Sequence, residues 1–114
     1  MNYKIYQVPS FLKEIKKLAK KYKNIKKDYL MLLKTLSNNP FEKAIEIGKN
    51  CYKIRLKNSD NNKGKSGGYR VIYFVLDENN EVTLLSIYSK SDIENLSENI
   101  IEEKIYEMRG NKQC

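Results

Sequence analysis

Histidine and tryptophan are absent from this 114-residue chain, and cysteine and proline occur twice each. Without an imidazole the commonest acid–base group near neutral pH is missing, and a zinc site has only carboxylates and thiols to draw on. Cys51 sits inside a strand-like pattern and Cys114 is the last residue, a spacing that forms neither a disulfide framework nor a metal-ligand motif. Free thiols in a reducing compartment are expected, with no metal and no other cofactor. Long apolar runs are also missing. Nothing approaches the roughly 20 residues that span a bilayer, and Met1–Ser10 is polar and alternating, unlike a secretion signal. The chain is therefore expected to be soluble and cytoplasmic, with no membrane contact. Acidic residues number 14 against 22 basic ones, and the resulting formal charge of +8 favours a polyanionic partner.

What is present suffices for a core. Forty per cent of the residues are hydrophobic and nine are tyrosines, which excludes a disordered tail, and the length fits a single domain over residues 1–114. Charge is unevenly spread. Residues 10–43 carry ten lysines against Glu14, Asp28 and Glu42, whereas residues 91–114 are net acidic, so two helical regions of opposite sign are expected.

Tyr3–Val8 alternates like a short strand and ends at Pro9, with Ser10 placed to cap a following helix. Phe11, Ile15, Leu18 and Tyr22 then recur on one helical face, and Ile25, Tyr29, Leu32, Leu33 and Leu36 repeat the pattern before Ser37–Pro40 stops it. An αα-hairpin is the reading. Its lysines, among them Lys16, Lys20, Lys23 and Lys27, form either a solvated face or an RNA contact. Phe41–Asn50 carries no clear period and is assigned to a loop. Cys51–Lys57 alternates cleanly, with Tyr52, Ile54 and Leu56 on one side and Lys53, Arg55 and Lys57 on the other. A Gly/Asn-rich loop bearing Lys63 and Lys65 leads into the apolar run Tyr69–Leu76, whose one charged member is Arg70. Asp77–Glu81 reads as a hairpin turn, Val82–Ser89 as the fourth strand, and the remainder as an acidic amphipathic helix capped from Ser91 or Ser97. The fold expected is α+β in the order βααβββα, an antiparallel meander with the helical hairpin on one face.

Turn positions fix an approximate register. A hairpin centred on Asn79 sets Arg70 opposite Tyr88, and a loop centred near Asn62 sets Arg70 beside Arg55, with Lys53 on the same side and Lys90 diagonal to the group. Like charges facing each other across a sheet cost stability, and a bound phosphate relieves that cost. The alternative is that Arg70 pairs with a carboxylate, such as Glu46 or one from the last helix.

The strings GlyTyrArgValIleTyrPhe (68–74), TyrLysIleArgLeu (52–56) and LeuLeuSerIleTyrSerLysSer (84–91) together resemble the RelE/ParE superfamily of type II toxin-antitoxin toxins, in its RelE and HigB-like branch. The resemblance runs over essentially the whole chain and rests on order and combination. It implies a ribosome-dependent mRNA endonuclease that needs no metal, in which a ribose 2′-hydroxyl attacks the adjacent phosphate, with mRNA, ribosomal RNA and a cognate antitoxin as partners. Carried over by position, it implies that Arg70 clamps the scissile phosphate and that Lys90 stabilises the transition state or protonates the leaving oxygen. Lys53 and Arg55 then bind phosphate, a lysine among cations being also a candidate base. Independently of the resemblance, Lys57 on the same side of its strand and Lys63 and Lys65 in the loop at that end of the sheet are candidates for RNA binding. The chain departs from the branch at Leu96, where a late tyrosine is expected; Tyr88 either replaces it, by stacking or proton transfer, or is a half-buried aromatic of the sheet, and the assignment of acid and base stays open. Two other functions stay open: gyrase inhibition of the ParE kind without ribonuclease activity, and non-catalytic RNA binding.

Overall fold

A computed structural model describes residues 2–61 and 67–112, and the alternating and 3.6-residue patterns appear in it as five strands and three α-helices. In chain order these are β1 (Lys4–Gln7), α1 (Pro9–Lys21), α2 (Ile25–Asn38), β2 (Ala44–Gly48), β3 (Cys51–Leu56), β4 (Tyr69–Leu76), β5 (Glu81–Ser89) and α3 (Glu98–Lys112). The sheet runs β1-β5-β4-β3-β2. Strands β3 to β5 form the expected antiparallel meander, which β2 extends by one strand, while β1 lies parallel to β5 from Lys4↔Glu81 to Gln7↔Leu84.

Two expectations change. The segment assigned to a loop contains β2, which pairs with β3 from Ala44↔Ile54 and turns through Lys49 and Asn50, both at positive φ (56° and 64°). That conformation suits a tight two-residue hairpin turn, and a lysine in it is an unusual signal. Ser10 is not the cap of α1. Val8 holds that position in extended conformation and Pro9 opens the helix, where its missing N–H costs nothing.

Alternation on β4 divides the sheet into two faces. Tyr69, Val71, Tyr73 and Val75 are buried beneath the helical hairpin together with Phe11, Leu32 and Leu36. Tyr22 meets Tyr69 edge-on at 5.6 Å, Tyr52 stacks on Tyr73, and the Tyr73 hydroxyl donates to the Pro40 carbonyl at 2.6 Å. Helix α3 covers one end of the opposite face, with Ile105 lining one cleft with Phe74 and a second with Cys51. It is fastened to α1 by a polar cluster. Lys104 Nζ, buried at 7% exposure, donates to Glu14 Oε2 at 2.7 Å and to Ser10 Oγ at 2.9 Å, and Glu107 accepts from the Ser10 N–H and hydroxyl. The second Glu14 oxygen accepts from Ser86 Oγ and from the Ile87 N–H, both at 3.0 Å. Pairing with β1 stops at Leu84, so Glu14 supplies the acceptor that the β5 edge needs beyond that point. No described helix is long and apolar enough to cross a membrane.

Candidate phosphate-binding site

With α3 over the Cys51–Phe74 end, the other end of that face is left to the cations. Arg55 stands directly across from Arg70, and Arg70 across from Tyr88, the pairing that the turn positions predict. The next row is Lys53, Ile72 and Ser86. A bulge after Ile72 leaves Leu85 without a counterpart, so the expected register holds toward Arg70 and shifts on the other side. Glu46 pairs with Tyr52 and so shares the hairpin-facing side of the sheet, which removes it as a partner of Arg70.

Gly68, the first residue of the GlyTyrArg string, has a steric reason. A Cβ there meets the Leu56 carbonyl oxygen at 2.2 Å, so any other residue pushes β3 and β4 apart beside Arg55 and Arg70. Its carbonyl accepts from the Lys90 N–H at 3.0 Å, which holds Lys90 at the same end of the sheet.

The face is less open than an alternating strand suggests. Arg70 is 6% exposed and Tyr88 4%, whereas Arg55 is exposed and Lys53 and Lys90 are half-buried. The cover comes from the segment between β5 and α3. Asn95 Oδ1 accepts from Lys53 Nζ at 3.2 Å, and the Glu94 carbonyl accepts from Lys90 Nζ at 3.0 Å. Residues 91–97 thus form a strap across the site rather than the start of a helix. Ser97, not Ser91, accepts from the Ile100 N–H at the beginning of α3.

Burial and the neighbouring Arg55 charge lower the Arg70 pKa from its ordinary value, against a smaller opposing effect of Tyr88. Arg70 Nη1 donates to the Tyr69 carbonyl at 3.3 Å. Burial raises the pKa of the Tyr88 phenol, while the Leu96 amide and Arg70 act in the other direction. That amide approaches without reaching hydrogen-bond geometry, and the Tyr88 hydroxyl has no partner among the described residues. It is therefore a protonated phenol, able to donate, at neutral pH. Cys51 is buried and its thiol is pushed up to about 11, which removes it as a nucleophile.

Arg70, Arg55, Tyr88, Lys53 and Lys90 are thus brought together. Lys57 follows β3 and is exposed beside Arg55. Lys16, Lys20, Lys23 and Lys27 are exposed on the helical hairpin and are not gathered with them, and Lys63 and Lys65 lie outside the described residues. Sequence reasoning missed Asn95 and the Glu94 carbonyl, since nothing in a polar stretch reveals which residues fold back over a sheet.

The fold defines a class, the small RelE-like toxins. The isolated E. coli RelE toxin is 28% identical, with 93% of this chain and 98% of that one covered and a TM-score of 0.54. A doubly substituted E. coli RelE in the free state is 24% identical over 93% and 97%, with a TM-score of 0.60. The RelBE2 toxin-antitoxin complex of Mycobacterium tuberculosis matches at 16% identity over 78% and 99%, with a TM-score of 0.58. A family model described as ParE toxin of type II toxin-antitoxin system, parDE, matches residues 5–94, and the chain belongs to that family within the RelE/ParE superfamily.

Proposed function

We propose that this toxin is a ribosome-dependent mRNA endonuclease. The observation that carries the reading is the cross-strand row Arg55–Arg70–Tyr88 with Lys53 and Lys90 beside it, two like charges held face to face next to a buried phenol. A purely structural sheet gains nothing from that pairing, whereas a doubly charged pentacoordinate phosphorus transition state does.

In the proposed reaction Arg55 and Arg70 hold the phosphate, Arg70 through its planar fork. The ribose 2′-oxygen attacks phosphorus as Lys53 accepts its proton, and the bond from phosphorus to the 5′-oxygen breaks. The 5′-oxygen takes a proton from Tyr88 or Lys90, leaving a 2′,3′-cyclic phosphate and a 5′-hydroxyl. Tyr88 suits the donor role because burial keeps its phenol protonated, and it adjoins Leu96, where the resemblance expects a tyrosine. Access to Arg70 requires the strap at residues 91–97 to lift, which exchanges the Lys53–Asn95 and Lys90–Glu94 bonds for contacts to phosphate. The lysines of the hairpin contact ribosomal RNA, and an antitoxin is the controlling partner.

The ParE family model favours gyrase inhibition as the second reading. Adding the purified protein to translating ribosomes and mapping mRNA ends separates the two. The expected result is cuts with 5′-hydroxyl ends and at least a 100-fold loss in Arg70→Ala, on the order of one lost transition-state contact. Intact mRNA with gyrase-linked DNA breaks, or an Arg70→Ala variant that cuts like wild type, overturns the reading.

A further inference from the structure

Among the described residues, Lys21 is the exposed lysine of the helical hairpin that an ion pair holds, and its partner belongs to the strap over the site. Lys21 Nζ, in the last turn of α1, lies 3.6 Å from Asp92 Oδ1 and 5.3 Å from the centroid of the Tyr22 ring. Both side chains of the pair stay in water, at 61% and 49% exposure, within reach of a large ligand. The same corner carries the root of the strap. The Tyr22 and Ser89 hydroxyls stand 3.5 Å apart, Ser89 Oγ is 2.8 Å from Ser91 Oγ, and the Asp92 and Ile93 N–H groups donate to the Ser89 carbonyl. Asn95, which accepts from Lys53, follows Asp92 by three residues, about 10 Å of extended chain at most. Asp92 thus places a carboxylate beside a surface on which Lys17, Lys20 and Lys23 are exposed.

We infer that the Lys21–Asp92 pair is a latch on the strap, and that RNA phosphate bound by the hairpin releases it and so uncovers Arg70. The inference rests on the ribonuclease reading above and adds its regulation: RNA engaged by the helices primes the site for the strand to be cut. A phosphate arriving at Lys21 takes the cation from Asp92, and phosphate and Asp92 then repel each other as like charges. Both effects drive the strap root away from α1. Past the latch, the strap meets the cations of the site through the Lys53–Asn95 and Lys90–Glu94 bonds, and both lysines gain a charge-assisted partner when a second phosphate enters. One exposed ion pair shifts an equilibrium by a factor of about two to five, so the latch biases the strap without locking it. The coupling is reciprocal, and phosphate at Arg70 strengthens binding at Lys21 by the same factor.

The test reads the accessibility of Arg70 as the initial rate at which phenylglyoxal modifies its guanidinium, followed by mass spectrometry, with the exposed Arg55 as internal control. Asp92→Asn keeps the size of the side chain, removes its charge and lies outside the proposed catalytic group. It is expected to speed Arg70 modification about two- to fivefold and to leave Arg55 unchanged. The double variant Lys21→Asp with Asp92→Lys restores an ion pair of reversed sign and is expected to return Arg70 to the wild-type rate, which a packing effect at position 92 does not do. A short RNA duplex is the probe for the hairpin. It is expected to speed Arg70 modification in the wild-type protein and not in the double variant. Arg70 equally slow in wild type and Asp92→Asn, or equally fast in Asp92→Asn and the double variant, overturns the inference. So does a duplex that leaves Arg70 unchanged, or that slows both arginines, which marks RNA bound in the site itself. Because the readout is not cleavage, the latch is tested even in a protein that cuts no mRNA, and a failed latch leaves the cleavage assay to judge the ribonuclease reading separately.

Discussion

Arg70 and Tyr88 occupy neighbouring places in a sheet yet stand at opposite ends of a trade between stability and activity. Arg70 is a buried cation facing another cation, and Tyr88 is a buried phenol whose hydroxyl has no partner among the described residues. A polar group buried without a hydrogen bond costs about 1–3 kcal/mol, so its removal leaves the fold unharmed or better off. Tyr88→Phe is therefore expected to hold or raise stability by up to about 1 kcal/mol while cleavage falls at least about tenfold. Urea unfolding and ribosome-dependent cleavage, measured on the same preparation, check both halves. A variant that cuts normally removes Tyr88 from the chemistry. The neighbours of Arg70 were legible in the sequence because hairpin turns fix pairing and side chains alternate with period two. Its burial was not, since that depends on a strap whose contacts lie 42 residues from Lys53 in the chain.

At the scale of elements, the site is a product of what ends where. The end of β1 pairing at Leu84 calls in Glu14, Glu14 with Ser10 holds Lys104, and α3 is thereby fixed over one half of the face and not the other. None of this cluster could be read from spacing, because Ser10, Glu14, Ser86 and Lys104 belong to three elements and each looks like an ordinary surface residue. Strand β2 was hidden for a different reason: five residues with a Gly-Lys-Asn turn give too short a period to distinguish from a loop. Gly68 is the element-scale residue with the clearest consequence. Since a Cβ there overlaps the Leu56 carbonyl oxygen, Gly68→Ala must displace backbone, not a side chain. A loss of about 2–3 kcal/mol is expected, with cleavage reduced beyond what stability explains because Arg55, Arg70 and Lys90 move together. Denaturant midpoints and cleavage rates at a temperature where the variant is folded decide it. A variant as stable as wild type shows that the strands can part at no cost, contrary to this account.

For the whole molecule, the groups that titrate with most consequence are those the fold keeps neutral. The lack of histidine removes the side chain whose ordinary pKa falls between pH 5 and 8, so stability is expected to change little across the neutral range. Above it the core responds. Burial pushes the Cys51 thiol from an ordinary value near 9 up to about 11, and raises the Tyr69 and Tyr73 phenols above their ordinary 10. In the unfolded chain these groups ionise at their ordinary values, so above about pH 9 the unfolded state gives up protons that the folded state keeps. Stability is then fully present below pH 9 and declines as pH rises, with Cys51 alone contributing a loss of about 2 kcal/mol by pH 11. The two tyrosines steepen the fall above pH 10. Urea unfolding from pH 7 to 11 should show a plateau followed by this decline, and Cys51→Ala should flatten its first part while lowering the plateau through the lost packing. A plateau that extends to pH 11, or a decline that begins at the same pH in both proteins, would mean that Cys51 is not the group that fails first.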